Sequence, residues 1–204
     1  MDIAKFRKQP VLGILRGVEE NVLEPLLDTI ILSGLGTIEI TMNTKAAPLL
    51  IKKCVKYSKS RLTIGAGTVL DMKSLENALN AGATFIVMPV LIKDVMAYCV
   101  KNEIPVFPGA FSPSEIYECW VSGATMVKVF PARFLGPKYF KEIKEPFNEI
   151  QLLACGGVTA ENMSEYFLAG ASAVAFGASV FKKDWLIKKD FKSIEESIKK
   201  FIVK

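Results

Sequence analysis

The chain contains no histidine among its 204 residues. This absence excludes the Ser-His-Asp and Cys-His arrangements on which many hydrolases depend. It also argues against a zinc-dependent aldolase or hydrolase, because such zinc sites usually include imidazole ligands. We therefore expect no metal site, and any catalysis has to use lysine, glutamate, aspartate, tyrosine or cysteine side chains.

Long hydrophobic runs are also missing, although 50% of the residues are hydrophobic. Charged residues, glycine or proline interrupt every apolar stretch well before the ~18 residues that a transmembrane helix needs. The N-terminal segment MDIAKFRKQP lacks the apolar core of a signal peptide. We therefore expect a cytoplasmic protein without membrane contact, whose apolar residues fill an interior.

The four cysteines match neither a CxxC motif nor the spacing of a metal-binding knuckle; they are Cys54, Cys99, Cys119 and Cys155. Free thiols in a reducing cytoplasm are the simplest explanation. The net charge of +5 reflects lysines concentrated in 45–59 and 182–204. Both segments are typical of solvent-exposed helix faces, since no aromatic residues alternate with the charges for base stacking. We expect no nucleic-acid partner.

Short apolar runs alternate with longer amphipathic segments along the chain. The candidate strands are 11–15, 38–41, 62–65, 85–88, 106–107, 126–130, 152–154 and 173–176. The clearest amphipathic segments between them are 71–80, 93–101, 113–121 and 160–168. Such alternation is typical of a parallel sheet covered by helices on its outer face. It predicts an α/β fold, a (β/α)8 TIM barrel formed as a single domain over 1–204.

A weak internal repeat supports this prediction. In LSGLGTIEI, NAGATFIVM, VSGATMVKV and LAGASAVAF, a helix end is followed by glycine, a small residue and a strand. The repeated glycines are Gly34, Gly82, Gly123 and Gly170, and glycine accepts the left-handed conformation found at helix C-caps. An open doubly wound sheet is the alternative, but no GxGxxG fingerprint follows the first strand.

Lys128 is the most conspicuous polar residue of the candidate strands, because apolar residues flank it on both sides. Lysine is rarely buried without a partner. Desolvation lowers the pKa of a buried lysine and makes the neutral amine available as a nucleophile. The alternative interpretation is that the side chain extends to the barrel rim and keeps its charge in water.

Glu39 lies between Ile38 and Ile40, so its side chain should point to the opposite face from theirs, into the barrel. A buried carboxylate near a lysine can transfer protons during a reaction. The alternative is a buried ion pair with Lys128 or Arg16.

The last two strands are followed by small residues that precede helical segments, CGGV and FGAS. Free backbone N–H groups at such positions suit a phosphate, and barrels frequently bind phosphate after strands seven and eight. Small residues are also ordinary turn residues, so either motif alone is weak.

These residues belong to a longer series of motifs, GILRG, IEIT, IGAGTV, VFPGAFSPSE, VKVFPA, GPKYFK, CGGV and FGAS, with Pro89 in a turn between the third and fourth. With these motifs in this order, the chain resembles the bacterial 2-keto-3-deoxy-6-phosphogluconate (KDPG) and 4-hydroxy-2-oxoglutarate aldolases over about residues 11–180. The resemblance implies a class I aldolase. Such an enzyme cleaves a 2-keto-4-hydroxy acid to pyruvate and an aldehyde, either glyceraldehyde 3-phosphate or glyoxylate.

The resemblance also implies residue roles. Lys128 would form the Schiff base, so no cofactor is needed, and Glu39 would be the general acid and base acting through water. The substrate carboxylate would be held by Arg16, Thr68 and Pro89, and the phosphate by Gly156, Gly157, Gly177 and Ser179. The partner would be a small 2-keto acid or phosphosugar acid, and the assembly a homotrimer.

Four positions depart from the family pattern, namely Asn43, Val90, Arg133 and Cys155. Cys155 stands where a hydroxyl is common, and Arg133 stands where many members have glutamate. We expect Arg133 to add positive charge near the mouth of the barrel. Because the changes concern the substrate pocket, the reaction type is better defined than the substrate. The alternatives are another phosphosugar enzyme and a non-catalytic phosphosugar-binding barrel.

Overall fold

A computed structural model describes residues 1–202, in which nine short parallel strands are surrounded by helices. The strands are β1 (Val11–Leu15), β2 (Thr37–Thr41), β3 (Thr63–Gly67), β4 (Ile86–Val87), β5 (Val106–Phe107), β6 (Gly109–Ala110), β7 (Val127–Val129), β8 (Leu152–Cys155) and β9 (Ala173–Phe176). The helices are α1 (Ile3–Lys8), α2 (Glu20–Leu32), α3 (Ala47–Ser58), α4 (Met72–Asn80), α5 (Lys93–Lys101), α6 (Pro113–Val121), α7 (Gly136–Lys144), α8 (Met163–Leu168), α9 (Lys183–Lys188) and α10 (Phe191–Ile202). None of these helices is long and apolar enough to cross a membrane.

The sheet closes into a barrel because β5 and β6 are two halves of one strand position. The strand order is β5-β4-β3-β2-β1-β9-β8-β7-β6, so these two segments lie at opposite ends of the order while only Pro108 separates them in the chain. On one side, the Met88 N–H donates to the Phe107 carbonyl (3.1 Å); on the other, the Lys128 N–H donates to the Pro108 carbonyl (2.8 Å). The predicted (β/α)8 barrel is confirmed, and the doubly wound alternative is excluded.

Five of the predicted elements have the bounds found in the structure. The predicted strands 11–15, 106–107 and 173–176 and the helices 93–101 and 113–121 have the observed bounds. The predicted helix 160–168 is too long, since α8 begins only at Met163. The short helix α1 was not predicted; Asp2 caps it by accepting a hydrogen bond from the Lys5 N–H (3.0 Å).

The four repeated glycines end helices as predicted. Gly34, Gly82, Gly123 and Gly170 have φ angles of +84°, +98°, +95° and +96°. Each N–H donates to the carbonyl three residues earlier, for example Gly34 to Ile31 (3.0 Å). These left-handed C-caps turn the chain from each helix into the following strand.

The amino-terminal end of the barrel is sealed by aromatic side chains. Phe6 of α1 is 3% exposed, and its ring centroid lies 6.3 Å from that of Phe107. Phe107 in turn lies 5.8 Å from Phe85, in edge-to-face geometry. Gly65 of β3 leaves room for this group, because a Cβ there would approach the Phe85 ring to 2.3 Å. Only the carboxyl-terminal end of the barrel is therefore left for a site.

We expect Phe6→Ala to lower the free energy of unfolding by about 3–5 kcal/mol, because it removes a buried ring and leaves a cavity at the barrel base. Urea denaturation followed by far-UV circular dichroism measures this change. Phe134→Ala is the matched control, since Phe134 is 74% exposed and its loss should change stability by no more than about 0.5 kcal/mol. Equal effects of the two substitutions would contradict the sealing role of Phe6.

Candidate active site

A pocket of about 580 Å³ opens at the carboxyl-terminal end of the barrel, at the ends of β1, β7, β8 and β9. Four cationic side chains line it, those of Arg16, Lys128, Arg133 and Lys183. Within residues 1–202, no aspartate or glutamate is among the lining residues. The pocket therefore suits an anionic ligand.

Lys128 projects from the centre of β7 into the barrel. It is 5% exposed, and its Nζ lies 5.1 Å from the centroid of the Phe130 ring. Its strand is fixed on both sides, since Lys128 pairs in register with Gly109 and with Leu153. The burial excludes the alternative in which this side chain extends into water at the rim. The amine instead lies inside the barrel and still lines the pocket.

Glu39 of β2 also points into the barrel and is 1% exposed. Its Oε2 atom is buried and has no hydrogen-bond partner among residues 1–202. The ion pairs in this part of the chain are Lys53–Glu20, Lys93–Glu118 and Lys199–Glu195, all at the surface. The buried ion pair weighed as an alternative for Glu39 is therefore not formed.

Burial raises the pKa of the Glu39 carboxyl above its ordinary value, and the positive charges of Lys128 and Arg16 oppose this shift. Gly67 makes space for the carboxyl group, because a Cβ at that position would lie 2.2 Å from Oε1 of Glu39. A carboxyl group with a raised pKa and a free oxygen is suited to accepting and returning a proton.

Thr68 follows β3 in a left-handed backbone conformation, with φ of +57°. This conformation is unfavourable for a β-branched residue and is typical of functional sites. The neighbouring peptides are held by hydrogen bonds from Met42 N–H to the Gly67 carbonyl (2.7 Å) and from Val69 N–H to the Val87 carbonyl (3.3 Å). Thr68 is half-buried beside Gly67, and it does not line the pocket around Lys128.

Arg16 is exposed at the end of β1, and the chain that follows it is held by two threonines, of which Thr44 was not singled out in the sequence. The Gly17 N–H donates to Oγ1 of Thr44 (2.9 Å), and Thr44 is 3.0 Å from Oγ1 of Thr41. Both threonines are buried, at 6% and 0% exposure. Thr41 is two residues from Glu39, so strand alternation alone places it on the inner face.

Pro89 is not among the residues that line the pocket around Lys128. It lines a neighbouring cavity of about 290 Å³, which shares only Phe130 with the larger pocket. Val90, one of the departures from the family pattern, lines the same cavity and is 52% exposed.

The two glycines after β8 are required by their surroundings. Gly156 and Gly157 have φ of +91° and +88°. A Cβ on Gly157 would lie 2.5 Å from Cβ of Arg133, and one on Gly156 would lie 3.2 Å from the Phe130 ring. The Gly156 carbonyl accepts a hydrogen bond from the Arg133 N–H (2.8 Å). The glycine turn and the 3₁₀ turn at Ala132–Phe134 are thus packed together.

Ser179 connects the loops after β8 and β9, because its hydroxyl donates to the Val158 carbonyl (3.0 Å). Gly177 lines the same pocket, and its carbonyl accepts from the Phe181 N–H (2.8 Å). Neither loop leads directly into a helix, since α8 starts at Met163 and α9 at Lys183. The motifs CGGV and FGAS are thus followed by turns, and the N-terminus of α9 reaches the pocket through its first residue, Lys183.

Cys155 ends β8 with its side chain in the pocket beside Lys128, at 2% exposure. Burial raises the pKa of this thiol, so it stays protonated.

Lys183 was missed by the sequence analysis, because nothing in its local pattern distinguishes it from the neighbouring lysines. Within residues 1–202, no three His, Cys, Asp or Glu side chains form a group that could hold a metal ion.

Comparisons with known proteins agree with this geometry. The family model for KDPG and KHG aldolases matches residues 3–197. The chain belongs to this aldolase family. The 2-dehydro-3-deoxy-phosphogluconate aldolase of Pseudomonas aeruginosa is 31% identical over 184 residues, which cover 90% of this chain and 80% of that protein. The 2-dehydro-3-deoxy-6-phosphogalactonate aldolase of Escherichia coli is 29% identical over 86% of each chain.

Among solved structures, a Legionella pneumophila KDPG aldolase superposes with a TM-score of 0.89 at 26% identity, covering 98% of this chain and 97% of that one. That structure holds pyruvate captured as a covalent carbinolamine intermediate. Our aldolase is accordingly a class I enzyme, an aldehyde-lyase that works through a Schiff base without a cofactor.

We expect Glu39→Gln to raise the melting temperature of the aldolase at pH 7. The pKa of Glu39 is raised by burial, so the folded protein binds this proton more tightly than the unfolded chain does. Stability must then fall as the pH rises from the ordinary carboxyl range toward the folded-state pKa. Glutamine removes this loss of stability. The difference in melting temperature between the variant and the parent should shrink at pH 4, where the carboxyl group is protonated in both the folded and the unfolded state.

Calorimetry of both proteins between pH 4 and pH 8 measures the difference. An E39Q variant that melts below the parent at pH 7 would mean that the charged carboxylate is stabilising. That outcome would contradict our description of Glu39 as a buried, unpaired group.

Proposed function

We propose that Lys128 is the Schiff-base lysine of this aldolase and that Glu39 is its general acid and base. One observation supports this most strongly. The Lys128 amine and the Glu39 carboxyl group are both buried inside the barrel, yet they do not form an ion pair. A purely structural pair would be expected to satisfy each other's charge. The amine here is instead directed to a cationic pocket.

In the proposed reaction, the Lys128 amine attacks the C2 ketone and forms a carbinolamine, which loses water to give an iminium ion. The cationic iminium withdraws electrons as the C3–C4 bond breaks. Glu39, acting through a water molecule, takes the proton of the C4 hydroxyl, and the aldehyde leaves. The enamine then accepts a proton at C3, and hydrolysis of the iminium releases pyruvate and the free amine.

The ends of the substrate are assigned from the family resemblance, and the positive charge of Arg16 in the pocket suits a carboxylate. Arg16 and Thr68 hold the carboxylate next to the ketone. Pro89 is grouped with them: it lines the neighbouring cavity, and its carbonyl adjoins Gly109, which pairs in register with Lys128. The turns containing Gly156, Gly157, Gly177 and Ser179 hold a phosphate through backbone N–H groups.

The proposed substrate is a 2-keto-3-deoxy-6-phosphosugar acid, which would yield pyruvate and glyceraldehyde 3-phosphate. Relatives that act on the phosphogluconate and the phosphogalactonate are about equally similar to this chain, at 31% and 29% identity. Both epimers at C4 should therefore be assayed. The combined enzyme of Escherichia coli named KHG/KDPG aldolase is 29% identical over 81% of this chain, so 4-hydroxy-2-oxoglutarate, which yields glyoxylate, is the second candidate.

A cytoplasmic location, one domain over 1–204 and a homotrimer complete the proposal. The trimer is inferred from the family resemblance.

We expect Lys128→Met to reduce kcat/KM for cleavage of 2-keto-3-deoxy-6-phosphogluconate by at least about 1,000-fold, because it removes the nucleophile while keeping the length of the side chain. Pyruvate release is followed with lactate dehydrogenase and NADH. Lys141→Met, at an exposed lysine of α7, is the matched control and should keep parental activity.

If the K128M variant retains cleavage while remaining folded, another residue forms the Schiff base. If the parent cleaves neither epimer nor 4-hydroxy-2-oxoglutarate, the proposed substrate class is wrong.

A further inference from the structure

The cations of the main pocket fall into two groups. Lys128 and Arg16 belong to the part of the pocket where the ketone and its carboxylate are proposed to bind. Arg133 and Lys183 lie on the loops after β7 and β9, with the glycine turns between them. The ketone and its carboxylate require only the first group, which leaves the role of the second group to be explained.

Arg133 is held against the glycine turn by its own backbone. Its N–H donates to the Gly156 carbonyl (2.8 Å), and its Cβ occupies the space where a side chain at Gly157 would lie. The guanidinium carbon lies 5.8 Å from the centroid of the exposed Phe134 ring. The backbone and Cβ of Arg133 therefore have a fixed position beside Gly157, and its side chain lines the pocket that contains the turn.

Lys183 approaches from the other loop. It is the first residue of α9 and lines the same pocket as Gly177, Ala178 and Ser179. The chain between this loop and α9 is fixed, because Phe181 is 6% exposed and its N–H donates to the Gly177 carbonyl (2.8 Å). The flexible Lys183 side chain is thus attached to a rigid base at the pocket edge.

Neither cation is neutralised by the protein. Ion pairs involving Arg133 or Lys183 do not occur in the part of the chain that the structure describes. No carboxylate from these described residues lines the pocket. Two unpaired positive charges flanking a set of glycine turns match the charge of a phosphate monoester, which is close to −2 at neutral pH.

We propose that Arg133 and Lys183 determine substrate specificity, by favouring substrates that end in a dianionic phosphate over the same chain ending in a hydroxyl group. The proposal rests on the aldolase function above and adds the residues that set its preference. The turn N–H groups form the site for the terminal group of the substrate. The two side chains supply the positive charge that favours a phosphate over a neutral hydroxyl group there.

The decisive measurement compares two substrates that differ only in the phosphate, 2-keto-3-deoxy-6-phosphogluconate and 2-keto-3-deoxygluconate. We expect Arg133→Gln and Lys183→Gln each to lower the ratio of their kcat/KM values by about 10-fold, as loss of one charge-assisted contact predicts. The double variant should lower the ratio further. Inorganic phosphate should inhibit the parent competitively, with a higher inhibition constant in each variant.

Lys182→Gln is the matched control. Lys182 is adjacent in sequence and also exposed, but its Nζ lies 3.9 Å from the centroid of the Trp185 ring and it lines a different cavity. It should leave the ratio unchanged.

An unchanged ratio in both single variants and in the double variant would overturn the proposal. Equal losses on the two substrates would also overturn it, because they would indicate general damage without discrimination. Failure of the proposed function would look different, since the parent itself would then cleave neither substrate.

Discussion

Lys128 and Glu39 lie inside the same barrel without forming an ion pair. Burying either charge is costly, and the usual compensation is a close partner with opposite charge. Here Glu39 keeps an oxygen without a hydrogen bond, and burial raises its pKa. The rest of the fold has to offset this cost. Burial of the many apolar side chains between the sheet and the helices does so.

Three glycines make space inside the barrel for Glu39 and for the groups packed around the site. Gly67 leaves room for the carboxyl group of Glu39, and Gly65 leaves room for the Phe85 ring that seals the base. Gly109 lies where a Cβ would approach the Pro89 carbonyl to 2.1 Å, at the divided strand that closes the barrel next to Lys128. At these three positions glycine is required for space rather than for backbone conformation. The site thus depends on the absence of a side chain at these glycines as well as on the functional side chains themselves.

Much of the fold follows from the sequence because a closed parallel barrel imposes a strict pattern. Strand alternation placed Glu39 on the inner face, the apolar residues on both sides of Lys128 singled out that lysine, and the glycine C-caps followed from the repeat. The division of one strand at Pro108 did not, since 106–107 was recognised as a strand but Gly109–Ala110 carries no strand pattern of its own. The helices expected directly after CGGV and FGAS begin several residues later, at Met163 and Lys183, because helix propensity does not reveal how many residues a loop uses before its helix begins.

Other parts of the site depend on contacts between residues distant in sequence, which local patterns do not contain. The hydrogen bond from Gly17 to Thr44 crosses from the first loop to the second. Lys183 joins the pocket only because the chain folds back through Phe181 to Gly177. The left-handed backbone of Thr68 has no signal in the GAGT motif itself. The family resemblance indicated the type of reaction. The position of Lys183 beside the glycine turns became apparent only from the three-dimensional structure.

The most direct test of this account is the intact mass of the protein after incubation with pyruvate and sodium borohydride. Reduction converts a Schiff base into a stable secondary amine. We expect one pyruvate-sized addition per chain, with the modified peptide containing Lys128, and no addition when Lys128 is replaced by alanine. A parent protein that gains no mass, or an adduct on another lysine, would contradict the assignment of Lys128 as the nucleophile.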